Sequence, residues 1–305
     1  MFGSQRSETH RVAGLEWCNQ FGRELEKRLD EVHCLEIIPE NFMALFGFSI
    51  PHDLFRAIEK RQIPVMVHSI GLSVGSIEPF KKDYFNQVME IFDQLPTAIS
   101  LSDHLCMTEK DGSDIGQLTS IPYNRPTLTA VKEKIEIIQD RIQVPFALEN
   151  ITHCFVIPNQ EFTETEFFNE LFDATGVKLL LDLNNLYTNG VNFGIDPYRW
   201  LSEVQPGNID SIHLAGGYVD NDNMLKDGHC AKVPDAVWEL YRHTIAITQR
   251  GVPTIVENTE VIADHGLEFV LEDVRKAQGI MDEILLGCSH AVSPATPSLA
   301  GEPGE

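Results

Sequence analysis

The sequence predicts a (β/α)8 barrel of the α/β class, with a metal site at the C-terminal ends of its strands. Three observations point there. Short runs rich in Val, Ile and Leu alternate with amphipathic helical patterns, eight such runs can be counted, and nearly all of them end in His, Glu, Asp or Asn. Short, continuously apolar runs are what parallel strands buried on both faces require. Their alternation with helices makes parallel βα units. A chain of 305 residues accommodates eight of them in one barrel, which needs roughly 250 residues plus extensions.

Seven runs are clear: VHCLEII (32–38), PVMVHSI (64–70), TAISLSD (97–103), PFALEN (145–150), VKLLLDL (177–183), DSIHLA (210–215) and PTIVEN (253–258). A weaker one, VAGLEW (12–17), makes eight. Helical spacing of apolar residues is plain in DLFRAIEKRQ, TAVKEKIEIIQDRI, DAVWELYRHTIAITQR and LEFVLEDVRKAQGIMDEIL, each with one stripe to bury. The alternative, a doubly wound open sheet, lacks its usual signature, because no Gly-rich phosphate loop follows a strand. Residues 11–288 therefore read as one barrel domain, 1–10 as a flexible lead, and the Pro-, Ser- and Gly-rich 289–305 as a disordered tail.

A formal net charge of −23 argues against a nucleic-acid binder, which needs a basic face. It leaves a basic peptide or protein partner open. No apolar run approaches the length of a membrane span, and the first residues lack a signal peptide's apolar core, so the cytoplasm is the expected compartment. Six cysteines without a CxxC pair do not form a disulfide framework in such a chain. Cys34 and Cys106 sit in apolar stretches and read as small core residues.

The strand ends carry the chemistry. They present Glu36 and Glu40, His68, Asp103 and His104, Glu149 and Asn150, Asp182 and Asn185, His213, and Glu257 and Asn258. In a (β/α)8 barrel this end is the active-site face, where residues from different strands converge. A single His or Glu there is explained by packing or a helix cap, but a whole ring is not. So many carboxylates at one mouth repel each other unless cations neutralise them. After the seventh run, Asp227-Gly228-His229 is either an ordinary polar turn or, if extended, two ligands on one side. Imidazole and carboxylate without thiolate suit iron, manganese or zinc better than magnesium or calcium, and the donors exceed what one ion needs. Zinc would favour hydrolysis or isomerisation on a xylose-isomerase-like barrel. Iron would open O2 chemistry.

Longer motifs then come into view: PEN (39–41), HSIGLSVGS (68–76), SDHL (102–105), IPY (121–123), LEN (148–150), LLDLNNLYTNGVNFGIDP (180–197), IHLAGG (212–217), DGH (227–229) and PDAVWELY (234–241). In these the chain resembles the DUF692 (UPF0276) family, the multinuclear non-heme iron-dependent oxidative enzymes, which includes enzymes of methanobactin and 3-thiaglutamate biosynthesis. The resemblance spans about residues 30–285 in order. It implies a barrel holding two or three irons, mixed Fe(II)/Fe(III), that uses O2 to oxidise a cysteine in a ribosomally made precursor peptide. A separate leader-binding partner protein would deliver the peptide. The implied metal ligands are His68, His104, Glu149, Asp182, Asn185, His213, Asp227, His229 and Glu257, with Glu36 and Glu40 behind them or facing substrate. The chain departs from the family in Asp-Gly-His, where many members have Asp-Thr-His, and in Glu257-Asn258-Thr259, where members often read Glu-Trp-Asp.

Overall fold

A computed structural model of the chain describes residues 11–44, 47, 49–258 and 265–289. Eight parallel strands close into one barrel: β1 (Ala13–Glu16), β2 (Leu35–Ile37), β3 (Val65–His68), β4 (Ala98–His104), β5 (Phe146–Glu149), β6 (Lys178–Asp182), β7 (Ile209–Leu214) and β8 (Thr254–Val256). Each pairs with its sequence neighbour, and β8 returns to β1. The weak first run is thus a full barrel strand. The last helix, Leu267–Ser289, reaches one residue into the expected tail; the expected flexible lead at 1–10 and the rest of that tail lie outside the described residues. Cys18, Cys34, Cys106, Cys154 and Cys230 are free thiols, and no helix among the described residues is long and apolar enough to cross a membrane.

The helices form by local rules. Asn124 caps Arg125–Arg141 by accepting from Thr127 N, with Pro126 in the first turn. Thr163 and Glu166 form a reciprocal capping box at Glu164–Thr175, which Gly176 ends at φ 72°. Two hairpins that the apolar pattern does not announce, Met107–Lys110 with Ser113–Thr119 and Tyr218–Val219 with Leu225–Lys226, follow β4 and β7.

What positions the site is the alternation inside the barrel. Side chains at i and i+2 of a strand share a face. Cys34, Met66, Ala147, Leu180 and Ile255 form a buried apolar cluster apart from the main core. Two residues on stand Glu36, His68, Glu149, Asp182 and Glu257. The barrel interior is therefore an apolar plug with a polar tier above it. Where β1 crosses the plug it carries Gly14, and a Cβ there would sit 1.9 Å from the Cys34 carbonyl oxygen. Gly14→Ala is expected to destabilise the protein by about 2–4 kcal/mol, as overpacking against backbone does, read as a lower denaturant midpoint.

Candidate metal centre

Eight inward side chains, one from the end of each strand, make the polar tier: Glu16, Glu36, His68, His104, Glu149, Asp182, His213 and Glu257, all of them buried. Their outward neighbours do different work. Asp103 accepts from Leu72 N and His104 N. Asn150 clamps β5 to β6, accepting from Asp182 N and donating to Asp182 O, both at 2.9 Å. Asn258 accepts from Gly216 N and donates to Asp273. Strand alternation sorts the strand-end residues into a centre and its scaffold.

At the centre Glu149 Oε2 lies 3.2 Å from His68 Nε2, 3.4 Å from His104 Nε2 and 3.7 Å from His213 Nδ1. His213 Nδ1 also lies 3.1 Å from Glu257 Oε2. Four sets of three donors lie within 4.8 Å of one another: His68, His104 and Glu149; Glu149, Asp182 and His213; Glu36, His213 and Glu257; Glu16, His229 and Glu257. Ligands about 2.1 Å from a shared ion stand roughly 3–4 Å apart, which is the spacing seen here. Several polar atoms of the tier have no hydrogen-bond partner: the close donors His213 Nδ1 and Glu149 Oε2, and also Asp182 Oδ2, Glu36 Oε1 and His104 Nδ1. Buried polar atoms are almost always bonded. Donors that crowd a centre without bonding one another fit metal ions.

The imidazoles are oriented from behind. His213 Nε2 meets Glu36 Oε2 at 2.8 Å, which leaves Nδ1 for the centre. His68 Nδ1 meets Ser102 Oγ at 2.9 Å, which leaves Nε2. Such outer partners set tautomer and ring orientation in metal sites. Asp182 divides its oxygens: Oδ1 caps the helix Leu183–Phe193 by accepting from Asn185 N, and Oδ2 faces the cluster set. Asn185 stands beside Glu149, its Nδ2 donating to Glu149 Oε1 at 3.2 Å and to Asn150 O, while its Oδ1 takes the Thr152 hydroxyl. Glu40, in the turn Pro39–Phe42 after β2, accepts from Ser69 Oγ, Ile70 N and the Tyr84 hydroxyl, which ties that turn to the loop after β3 and to the helix Lys82–Asp93.

The Asp227-Gly228-His229 segment corrects one expectation. The chain is not extended there; His229 is left-handed at φ 48°. That turn, rather than strand alternation, brings His229 Nε2 to 3.1 Å from Asp227 Oδ2 and 3.9 Å from Glu257 Oε2. Asn184 Nδ2 holds the other Asp227 oxygen at 2.8 Å. Sequence reading missed Glu16, which joins His229 and Glu257. The signal was Glu16, one residue before the end of the weakest apolar run, VAGLEW.

Burial dominates the electrostatics. It pushes Glu16 up to about 8, helped by Glu257 and Glu36, and raises Glu149 and Asp182 well above the usual carboxylate range. It depresses His68, and it takes His104 down to about 4. His213 and His229 rise despite burial, because carboxylates surround them: Glu257, Glu36 and Glu149 for the first, Asp227 and Glu257 for the second. Glu257 falls to about 2, since His213 and His229 outweigh its burial.

These shifts set a pH dependence for the metal-free chain. Between pH 6.5 and 8 the groups in transit are those raised on folding, Glu16, His213 and His229 among them. A group raised on folding holds its proton more tightly in the native state, so its stabilisation is lost as pH rises. His104, His68 and Glu257 are lowered on folding, and their opposite linkage lies mainly below this window. The melting temperature of chelator-treated protein is therefore expected to fall from pH 6.5 to 8, and metal, which binds the deprotonated ligands, to abolish or reverse the fall. A flat metal-free profile would contradict the assignment.

Residues 12–282 match the family described as RiPP precursor modification enzyme MbnB/TglH/ChrH. Among curated relatives, the chain is 36% identical over 210 residues to a UPF0276 protein of Caulobacter vibrioides (strain NA1000 / CB15N), covering 69% of this chain and 73% of that one. To a UPF0276 protein of Anaeromyxobacter sp. (strain Fw109-5) it is 34% identical over 249 residues, covering 81% and 85%. Among solved structures it resembles a D-psicose 3-epimerase from Clostridium cellulolyticum H10 (TM-score 0.54, 12% identity, covering 88% of this chain and 95% of that one). It also resembles a 3-keto-D-glucoside 4-epimerase from E. coli (TM-score 0.56, 10% identity, 87% and 98%). At such identity these establish the barrel fold alone. With nearly all of its barrel matched to the family and relatives above 30% identity, the chain belongs to the RiPP precursor modification enzymes of the MbnB/TglH/ChrH family.

Proposed function

We propose that the chain is a non-heme iron-dependent oxidoreductase that uses O2 to oxidise a cysteine residue of a ribosomally made precursor peptide. The observation that carries the reading is the tier of buried, unpartnered imidazole and carboxylate atoms at the barrel mouth, in a family that modifies RiPP precursors. The donor set fits two or three ions. His68, His104 and Glu149 would hold one, Glu149, Asp182 and His213 a second, and Asp227, His229 and Glu257, with Glu16, a third. Bound iron would supply a Lewis acid that acidifies a coordinated thiol, together with the redox chemistry that O2 needs.

The protein's own contribution is orientation and exclusion of water. Glu36 and Ser102 fix which imidazole nitrogens face the centre. Asn184 and Asn185 each hold one oxygen of a carboxylate, leaving the other for a metal. The apolar plug of Met66, Leu180 and Ile255 closes the floor, so solvent and substrate enter from the loop face. A peptide cysteine reaching in from that face meets a site whose strand-borne ligands do not depend on loop movement. Delivery by a leader-binding partner belongs to the same reading, and a chain of net charge −23 favours a basic docking surface on that partner.

The test is incubation of iron-loaded protein with a cysteine-containing precursor peptide, with and without O2, followed by mass spectrometry. A mass change on the peptide that requires both iron and O2 is expected; equal turnover without O2 would sink the oxidative reading. Metal analysis separates the rival chemistry, since stoichiometric zinc or manganese without iron would favour a hydrolase or isomerase. Glu149→Ala removes the carboxylate shared by two donor sets and is expected to lose metal and at least about 100-fold in turnover. Glu36→Gln weakens the partner that orients His213 and is expected to lower metal affinity about 10-fold, measured by competition with a chelator.

A further inference from the structure

A cavity of about 670 Å³ lies between the loop after β5 and the helix Pro197–Glu203, a size that accepts several side chains. Tyr123, Phe162 and Trp200 are among its walls. Glu164 holds it in shape: Oε1 accepts from the Tyr123 hydroxyl at 3.0 Å and Oε2 from Trp200 Nε1 at 2.8 Å. His153 is fastened between Glu164 Oε1 (3.5 Å) and Ser120 Oγ (3.1 Å). Two aromatic walls are thus tied by their polar tips to one carboxylate, and a preformed cavity of this kind costs little ordering on binding. At the rim, Phe155 is 48% and Val156 66% exposed, large apolar groups side by side in water.

Two further observations say what covers them. The lining carries Glu161, Glu164, Glu166, Asp196 and Glu203; Arg199 pairs with Glu203, His153 with Glu164, and Arg125 lies 3.9 Å from Glu161, so carboxylates outnumber cations and the groove favours a cationic occupant. The groove is also tied to the metal centre through shared structure. His153 stands four residues beyond Glu149, and the intervening loop is bound to the helix Leu183–Phe193, which Asp182 caps. The Thr152 hydroxyl donates to Asn185, His153 N to Asn189 Oδ1 at 2.8 Å, and Asn189 Nδ2 to Ile151 O at 2.9 Å. One loop and one helix serve both places.

We propose that this groove docks a segment of the peptide substrate that carries basic and large apolar side chains, an inference that rests on the reading of the chain as a peptide-modifying enzyme. The basic side chains face the carboxylates. The apolar ones cover Phe155 and Val156 and enter the aromatic-walled cavity. The docked segment then lies on the side of the mouth where β5 ends.

The test is fluorescence anisotropy with the full, iron-loaded chain and three short labelled peptides, alternating Lys with Leu, Lys with Ser, and Glu with Leu. The Lys/Leu peptide is expected to bind tightest. Phe155→Lys with Val156→Lys should weaken it about tenfold or more, and Glu161→Lys should repeat the loss in an independent background. Glu59→Lys, on the exposed face of the helix His52–Arg61, changes net charge as much as the double variant does and should weaken binding less than about twofold. Equal loss in Glu59→Lys, equal binding of the Lys/Ser peptide, or no binding of the Lys/Leu peptide would each overturn the proposal. Because the assay reads binding rather than oxidation, these outcomes leave the oxidase reading standing, and a failed O2 dependence leaves the groove standing.

Discussion

Inside a closed parallel barrel each strand presents every second side chain to a space that water does not fill. In this chain that constraint puts imidazoles and carboxylates into one buried tier, from Glu16 on β1 to Glu257 just beyond β8. Everything else around the mouth answers to it. An ionised group taken out of water needs a partner of opposite charge or a metal, and the tier holds too many carboxylates for its imidazoles to neutralise. The result is a set of oxygens and nitrogens at ligand spacing, several of which have no hydrogen-bond partner. It is a poor arrangement for stability and a good one for holding cations, which is the usual relation between a working site and its fold.

The surrounding structure keeps that arrangement from collapsing. Residues one position away in the strands turn outward and bind backbone: Asn150 between β5 and β6, Asp103 on the loop after β3, Asn258 on the loop after β7. Helix capping is drawn into the same service, since Asp182 ends a strand, caps a helix and presents an oxygen to the cluster. The two asparagines that follow it, Asn184 and Asn185, reach back to Asp227 and Glu149. The run DLNN is thus compact because one helix start serves three carboxylates.

The loops after β5 and β6 carry a separate design. Around Glu164 every polar tip is satisfied, so that patch is rigid and apolar-walled rather than strained. The metal tier suits chemistry at one atom, whereas the groove suits recognition of a longer ligand. Their common helix, Leu183–Phe193, is the physical link between them.

Much of this was legible in the order of residues. Barrel strands betray themselves as short apolar runs, and a polar residue at the end of each run is visible without coordinates; His68, His104, Glu149, Asp182, His213 and Glu257 were all found that way. The motifs around DLNN and IHLAGG added the family. Tertiary structure alone decided which polar residue of each pair faces inward, because that depends on where the pleat of each strand begins. Asn150 and Asn258 became scaffold for that reason, and Glu16, on the least apolar strand, joined the tier. The meeting of Asp227 with His229 was likewise beyond sequence reasoning, since it hangs on a left-handed residue that strand alternation does not foresee. Local pattern determines the elements and their chemistry; closure of the barrel determines which side chains share a space.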